Sequence, residues 1–161
     1  CRIGTKGGNN MKFETDYQEL LQNLEALTDG IPYLTSNLAN TAALIWQTVP
    51  GLNWAGFYEM TDGALVLGPF QGKPACIRIP LGRGVCGTAA REGRTVRVEN
   101  VHDFPGHIAC DGASNSEIVI PLYKNGTIWG VLDLDSPHFG RFTPEDQQGL
   151  ERLAAAIQAF L

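Results

Sequence analysis

The chain has 161 residues, 43% of them apolar and 18% charged, with a net charge of −5. That length suits a single domain with a sizeable core, and the apolar content excludes a disordered chain. The acidic balance argues against nucleic acid or an anionic membrane surface as partner, and no run of about 18 apolar residues is present to span a bilayer. Four cysteines admit two disulfides, a metal site or redox chemistry.

Residues 1–10 hold three glycines, no periodicity and no signal-peptide pattern, so they read as an appended leader or disordered segment. One domain is then expected over residues 11–161. Setting the leader aside removes Cys1 and leaves Cys76, Cys86 and Cys110, an odd number that fits a reducing, cytoplasmic setting.

Thr15 with Gln18 forms a capping-box pattern, and Leu20, Leu21, Leu24 and Leu27 follow at helical spacing up to Gly30. Pro32 opens a second helix with Leu34, Leu38, Ala42, Ile45, Trp46 and Val49 on one stripe, ended by Pro50-Gly51. Strand-like runs follow over roughly 53–59, 64–68, 75–80, 95–100, 117–123 and 127–135, with a short helix inserted near 86–92. Thr143-Pro144 then caps a last helix carrying Leu150, Leu153, Ile157 and Phe160. This order predicts an α+β layer: about six mainly antiparallel strands with helices packed on one face.

The last two strands are joined at Lys124-Asn125-Gly126. A two-residue turn would set Ile118 opposite Asp133 and Glu117 opposite Leu134. A three-residue loop sets Ile118, Ile120 and Leu122 opposite Leu132, Gly130 and Ile128, an apolar face, with Glu117 opposite Asp133 on the other. The pattern favours the three-residue loop. Glu117, Asp133 and Asp135 then share one face at one end of the hairpin. A solvated rim is the ordinary fate of any one carboxylate. Three together would raise at least one pKa, attract a cation and supply an acid–base pair.

The thiols match no metal-binding spacing, so no metal site is expected. Cys110 lies in the polar loop 106–112. Cys86 lies at the start of the short helix, where a helix N-terminus would lower its pKa, and Cys76 lies at the start of a strand. The ordinary alternative for any of them is a small buried hydrophobe. Trp54 and Tyr58 share a strand face with Gly56 between them leaving space, which suits either core or a pocket wall. His102, His107 and His138 are expected in surface loops. Gly82, Gly84 and Gly87 have neither a P-loop lysine nor a Rossmann context.

Gly106-His107-Ile108-Ala109-Cys110-Asp111, followed by Ala113-Ser114-Asn115-Ser116-Glu117-Ile118-Val119, closely resembles the free methionine-(R)-sulfoxide reductases, which are single GAF-domain enzymes. Asn53-Trp54-Ala55-Gly56-Phe57-Tyr58, Leu67-Gly68-Pro69-Phe70-Gln71-Gly72, Gly82-Arg83-Gly84-Val85-Cys86-Gly87-Thr88 and Gly130-Val131-Leu132-Asp133-Leu134-Asp135-Ser136 resemble the same family, and the likeness runs from about Leu38 to Leu153. The resemblance implies Cys110 as nucleophile, Cys76 as the resolving thiol and Cys86 as substrate contact or alternative resolver. It implies Glu117, Asp133 and Asp135 as carboxylates that grip an amino group and assist the sulfoxide oxygen, and Trp54 and Tyr58 as the wall around a methyl group. It implies no cofactor, a thioredoxin-type external reductant and a homodimer.

Chemistry agrees with those roles. A sulfoxide oxygen leaves only when protonated, and a carboxyl kept neutral by its neighbours can donate near pH 7. A thiol of ordinary pKa is only about 3% ionised at pH 7, so Cys110 is expected to ionise late. Its sulfenic acid would condense with a second thiol, which needs the Cys76 and Cys110 Cα atoms within about 7 Å and points to loop 101–115 as the moving part. A GAF small-ligand sensor and a redox-sensing module are the alternative readings.

Overall fold

The computed structural model describes residues 12–161; the leader expected at residues 1–10 lies outside the described residues. Helices α1 (Tyr17–Thr28) and α2 (Leu34–Thr48) precede strands β1 (Trp54–Thr61), β2 (Ala64–Gly72) and β3 (Arg78–Pro80). Helix α3 (Gly84–Glu92), strand β4 (Val96–Val98) and a 3-10 turn (Val101–Asp103) follow. Strands β5 (Ser116–Lys124) and β6 (Thr127–Ser136) and helix α4 (Pro144–Gln158) complete the chain. The strands form one antiparallel sheet in the order β3-β2-β1-β6-β5-β4.

Helices α1, α2 and α4 cover one face, where Leu20, Leu24, Leu38, Ile45, Leu150 and Leu153 pack on Phe57, Ile118, Ile120, Leu132 and Leu134. The short α3 lies on the other face, with Val85, Cys86, Ala89 and Ala90 against Trp54, Tyr58, Val119 and Val131. Period-two alternation along β1 feeds both layers: Ala55 and Phe57 point to the first, Trp54 and Tyr58 to the second.

The helix stripes hold at their centres and fail at their edges. Leu27 and Trp46 remain 41% and 38% exposed. Asp16, not Thr15, caps α1, accepting from the Glu19 N–H at 3.0 Å. In α4 the expected cap forms: the Thr143 hydroxyl accepts from the Asp146 N–H, and the Asp146 carboxylate accepts from the Thr143 N–H. Asp146 also accepts from the Tyr17 hydroxyl at 2.6 Å and from Arg141 Nη1 at 2.9 Å. This knot pins α1 to α4 where the Tyr17 ring lies on the bare backbone of Gly149.

The β5–β6 register corrects the expected one. Asn125 and Gly126 take φ of 52° and 74°, the values of a two-residue type I′ turn, and Lys124 pairs with Thr127. A bulge at Trp129 then shifts the ladder, so Leu122 faces Gly130 and Tyr123 faces Ile128. Glu117 therefore stands opposite Asp135 and Val119 opposite Asp133, two residues from the expected partners. A two-residue offset preserves the face, so the three carboxylates remain together.

A methyl at Gly149 would collide with the Tyr17 ring. Gly149→Ala should lower stability by about 1–3 kcal/mol, measured by urea unfolding. An unchanged midpoint would show that Tyr17 moves aside freely.

Candidate active site

The second face of the sheet carries a cavity with about 520 Å³ of empty space, its open mouth included. The central strands supply its floor. Trp54 pairs with Asp135 and Gly56 with Asp133 across β1–β6, and Glu117 lies across from Asp135 on β5. Helix α3 contributes Val85 and Cys86, and the loop before β5 brings His107, Ile108, Cys110, Asp111 and Ser114.

Cys76 and Cys110 are joined in a disulfide at this cavity, with Cα atoms 5.6 Å apart. The two sulfurs come from opposite sides. Cys76 sits in the link between β2 and β3, where its carbonyl accepts from the Tyr58 hydroxyl at 3.0 Å. Cys110 sits in the 104–115 loop. Asn53 ties that loop to the sheet: its Nδ2 donates to Asp111 Oδ2 and Ser114 Oγ, both at 3.0 Å, and its N–H donates to the Asp135 carbonyl at 3.0 Å.

The carboxylates are enclosed: Glu117 is 6% and Asp133 5% exposed, and Asp135 is half-buried. Burial disfavours their charged forms. Asp133 is pushed up to about 6 by burial, against hydrogen bonds from Glu117 and Cys86 that lower it. Burial and then the neighbouring carboxylates hold Glu117 and Asp135 well above the usual carboxylate range. Asp133 Oδ1 is buried without a hydrogen-bond partner.

Cys86 corrects the expectation drawn from its helix position. It is 4% exposed, and its Sγ lies 3.8 Å from Glu117 Oε1. Burial, and then the charges of Asp133, Glu117 and Asp135, push the thiol up, not down. A helix dipole is worth at most about 2 kcal/mol, less than the desolvation of a thiolate among carboxylates. Among the described residues Cys86 is the free cysteine. Cys86, Glu117 and Asp133 each offer a donor atom, all within 4.8 Å of one another, although no sequence spacing marked them as a metal set.

Trp54 and Tyr58 wall the cavity with ring centroids 5.8 Å apart. Gly56 leaves no hole between them. Phe70 of β2 fills that place, with its Cα 2.8 Å from where a Gly56 Cβ would stand, and stacks on Trp54 at 5.2 Å.

His107 lines the cavity, although its loop position suggested the surface. Its Nε2 lies 3.9 Å from Glu117 Oε2. Burial and the nearby His102 lower its pKa while burial raises that of Glu117, so the pair is held away from a full ion pair. Asp111 and Ser114 were also missed. All three belong to the Cys110 loop, and that shared loop was the available signal.

A sheet with three helices on one face and a ligand cavity under a short helix on the other is the GAF architecture, and the GAF-domain family model matches residues 18–160. The free methionine-R-sulfoxide reductase of Escherichia coli (strain K12) is 55% identical over 145 residues, covering 90% of this chain and 88% of that protein. The structure of the Staphylococcus aureus fRMsr in its reduced form superposes with a TM-score of 0.91 at 43% identity, covering 94% of this chain and 99% of that one. The free methionine-R-sulfoxide reductase from Neisseria meningitidis, solved in complex with its substrate, gives a TM-score of 0.87 at 44% identity over 89% of this chain and 87% of that one. The molecule is thus a GAF domain with a disulfide set over a buried carboxylate cluster. It belongs to the family of free methionine-(R)-sulfoxide reductases, which are oxidoreductases.

The raised carboxyls make the site a store of instability. A carboxyl whose pKa is higher folded than unfolded binds its proton more tightly in the native state. Stability therefore falls as pH rises from the unfolded value of about 3.9 through the folded value. For Asp133 that window ends at about 6. Asp133→Asn should raise the Tm above pH 6, by about 2–4 °C for each kcal/mol of relief, and the gain should vanish towards pH 4. Thermal unfolding from pH 4 to 8 tests this, and a Tm lowered at pH 7.5 would refute it.

Proposed function

We propose that the protein reduces free L-methionine (R)-sulfoxide to methionine through a Cys110 sulfenic acid and a Cys76–Cys110 disulfide. The observation that carries this reading is that disulfide, placed at a cavity floored by three carboxylates. The amino acid's ammonium pairs with Asp133, the carboxylate ionised near pH 7. A peptide-bound methionine sulfoxide lacks that ammonium, which favours the free amino acid. Trp54 and Tyr58 enclose the methyl group. Preference for the R epimer follows the names of the relatives.

The Cys110 sulfur, as thiolate, attacks the sulfoxide sulfur. Glu117 or Asp135, whose protonated forms are favoured by burial and the neighbouring carboxylates, donates to the departing oxygen. The oxygen ends on Cys110 as a sulfenic acid and methionine leaves. The Cys76 thiol then attacks the Cys110 sulfur, forming the disulfide and releasing water. A thioredoxin-type dithiol restores both thiols by exchange, with no other cofactor. Such a cycle runs in a reducing compartment, consistent with the cytoplasm. Cys86, enclosed beside Glu117, is assigned to substrate contact, because Cys110 already has its partner in Cys76.

The decisive assay follows loss of free methionine (R)-sulfoxide with dithiothreitol or thioredoxin. Wild type should turn over and Cys110→Ser should not. Undiminished turnover in Cys110→Ser would reject the nucleophile, and an inert wild type would favour a ligand sensor. Glu117→Gln should lower kcat by about 10²–10⁴-fold if Glu117 is the donor. The wild-type kcat/KM should fall below pH about 6 as Asp133 takes up its proton; a flat acid limb would remove Asp133 from ammonium binding.

A further inference from the structure

We infer that the floor of this cavity is also a binding site for a soft divalent cation of the zinc class, held by Cys86, Glu117 and Asp133. Three elements converge there: α3 brings a sulfur, β5 and β6 one carboxylate oxygen each, with all three donors within 4.8 Å of one another. The Cys86 Sγ and Glu117 Oε1 are 3.8 Å apart. A tetrahedral zinc ion, with bonds of about 2.0–2.3 Å, sets its ligand atoms roughly 3.3–3.8 Å apart, so small rotations close the set. His107 Nε2 lies 3.9 Å from Glu117 Oε2, at the edge of the cluster.

A second observation points to a cation independently. Asp133 lines the cavity, and although Glu117 and Cys86 reach its carboxyl, its buried Oδ1 has no hydrogen-bond partner, which is costly. A dication set between the thiolate and two carboxylates supplies the missing partner. The mixed sulfur and oxygen donor set selects zinc, cobalt or cadmium over magnesium or calcium, which take oxygen alone. Cys86 lies outside the disulfide, so the site persists when Cys76 and Cys110 are oxidised. Glu117 and Asp133 are also the groups proposed to serve the substrate, so metal and amino acid should exclude each other. That consequence rests on the proposed function; the site itself does not.

The test uses the full chain with Cys76–Cys110 oxidised and reductant removed, so that neither turnover nor the redox pair contributes. Zn²⁺ is titrated calorimetrically, and Co²⁺ is added separately as a coloured probe of sulfur ligation. Wild type should bind one equivalent of Zn²⁺ and show a thiolate-to-cobalt charge-transfer band. Cys86→Ser should lose the band and bind zinc about 100-fold or more weakly, and Asp133→Asn should keep the band but weaken binding at least about 10-fold. Far-ultraviolet circular dichroism confirms that both variants fold. No binding to wild type would overturn the site. Affinity unchanged in both variants, or cobalt binding without a thiolate band, would equally overturn it by showing an adventitious ion only.

Discussion

The structure turns on carboxylates kept out of water. Glu117 and Asp133 are almost wholly enclosed, and Asp135 is half-buried beside them, on the face of the sheet away from the three large helices. Each costs free energy to bury, and each raises the cost of the next. The surroundings make this tolerable by rigidity. Trp54 and Tyr58, backed by Phe70, form one wall, α3 contributes Val85 and Cys86, and Val119 and Val131 pack within the same layer. The larger helical layer supplies the core stability that lets this thin layer carry an unfavourable charge arrangement.

That arrangement divides the chemistry. Asp133 is the carboxyl whose pKa of about 6 leaves it ionised at neutral pH, while burial and the neighbouring carboxylates hold Glu117 and Asp135 well above the usual carboxylate range. One face thus carries three perturbed carboxyls within a single hairpin. The Cys86 thiol, raised by the same charges, is a poor nucleophile but a good packing partner until something positive enters. The disulfide sulfurs lie elsewhere, on two segments that meet over the cavity.

Much of this was legible in the sequence, and the failures have local causes. Alternation along residues 117–123 and 127–135 fixed which side chains share a face, because a one-residue slip would expose the apolar set. It did not fix the absolute pairing. The Asn125-Gly126 turn and the Trp129 bulge each shift the ladder by one, and a bulge leaves no mark in a binary pattern. The Cys86 environment was misread because helix position is local while the burial of α3 against the sheet is tertiary. The space beside Gly56 was misread for the same reason: Phe70 arrives from the neighbouring strand. The helix stripes erred only at Leu27 and Trp46, on their edges. His107 was assigned to the surface because loop residues usually are, but this loop folds inward over the floor.

The disulfide spans 34 residues of sequence, and the ring it closes contains β3, α3, β4 and the 3-10 turn. Closing a ring of that size restricts the unfolded chain by about 3–4 kcal/mol on a chain-entropy view. Reduction of the two sulfurs, as the proposed cycle requires, would open that ring. The segment released carries Cys86 and His107, two of the groups around the cavity. Under the proposed cycle the domain would alternate between a tethered and an untethered state, and resistance to a protease in the 76–110 segment would become a physical record of which electrons it last received.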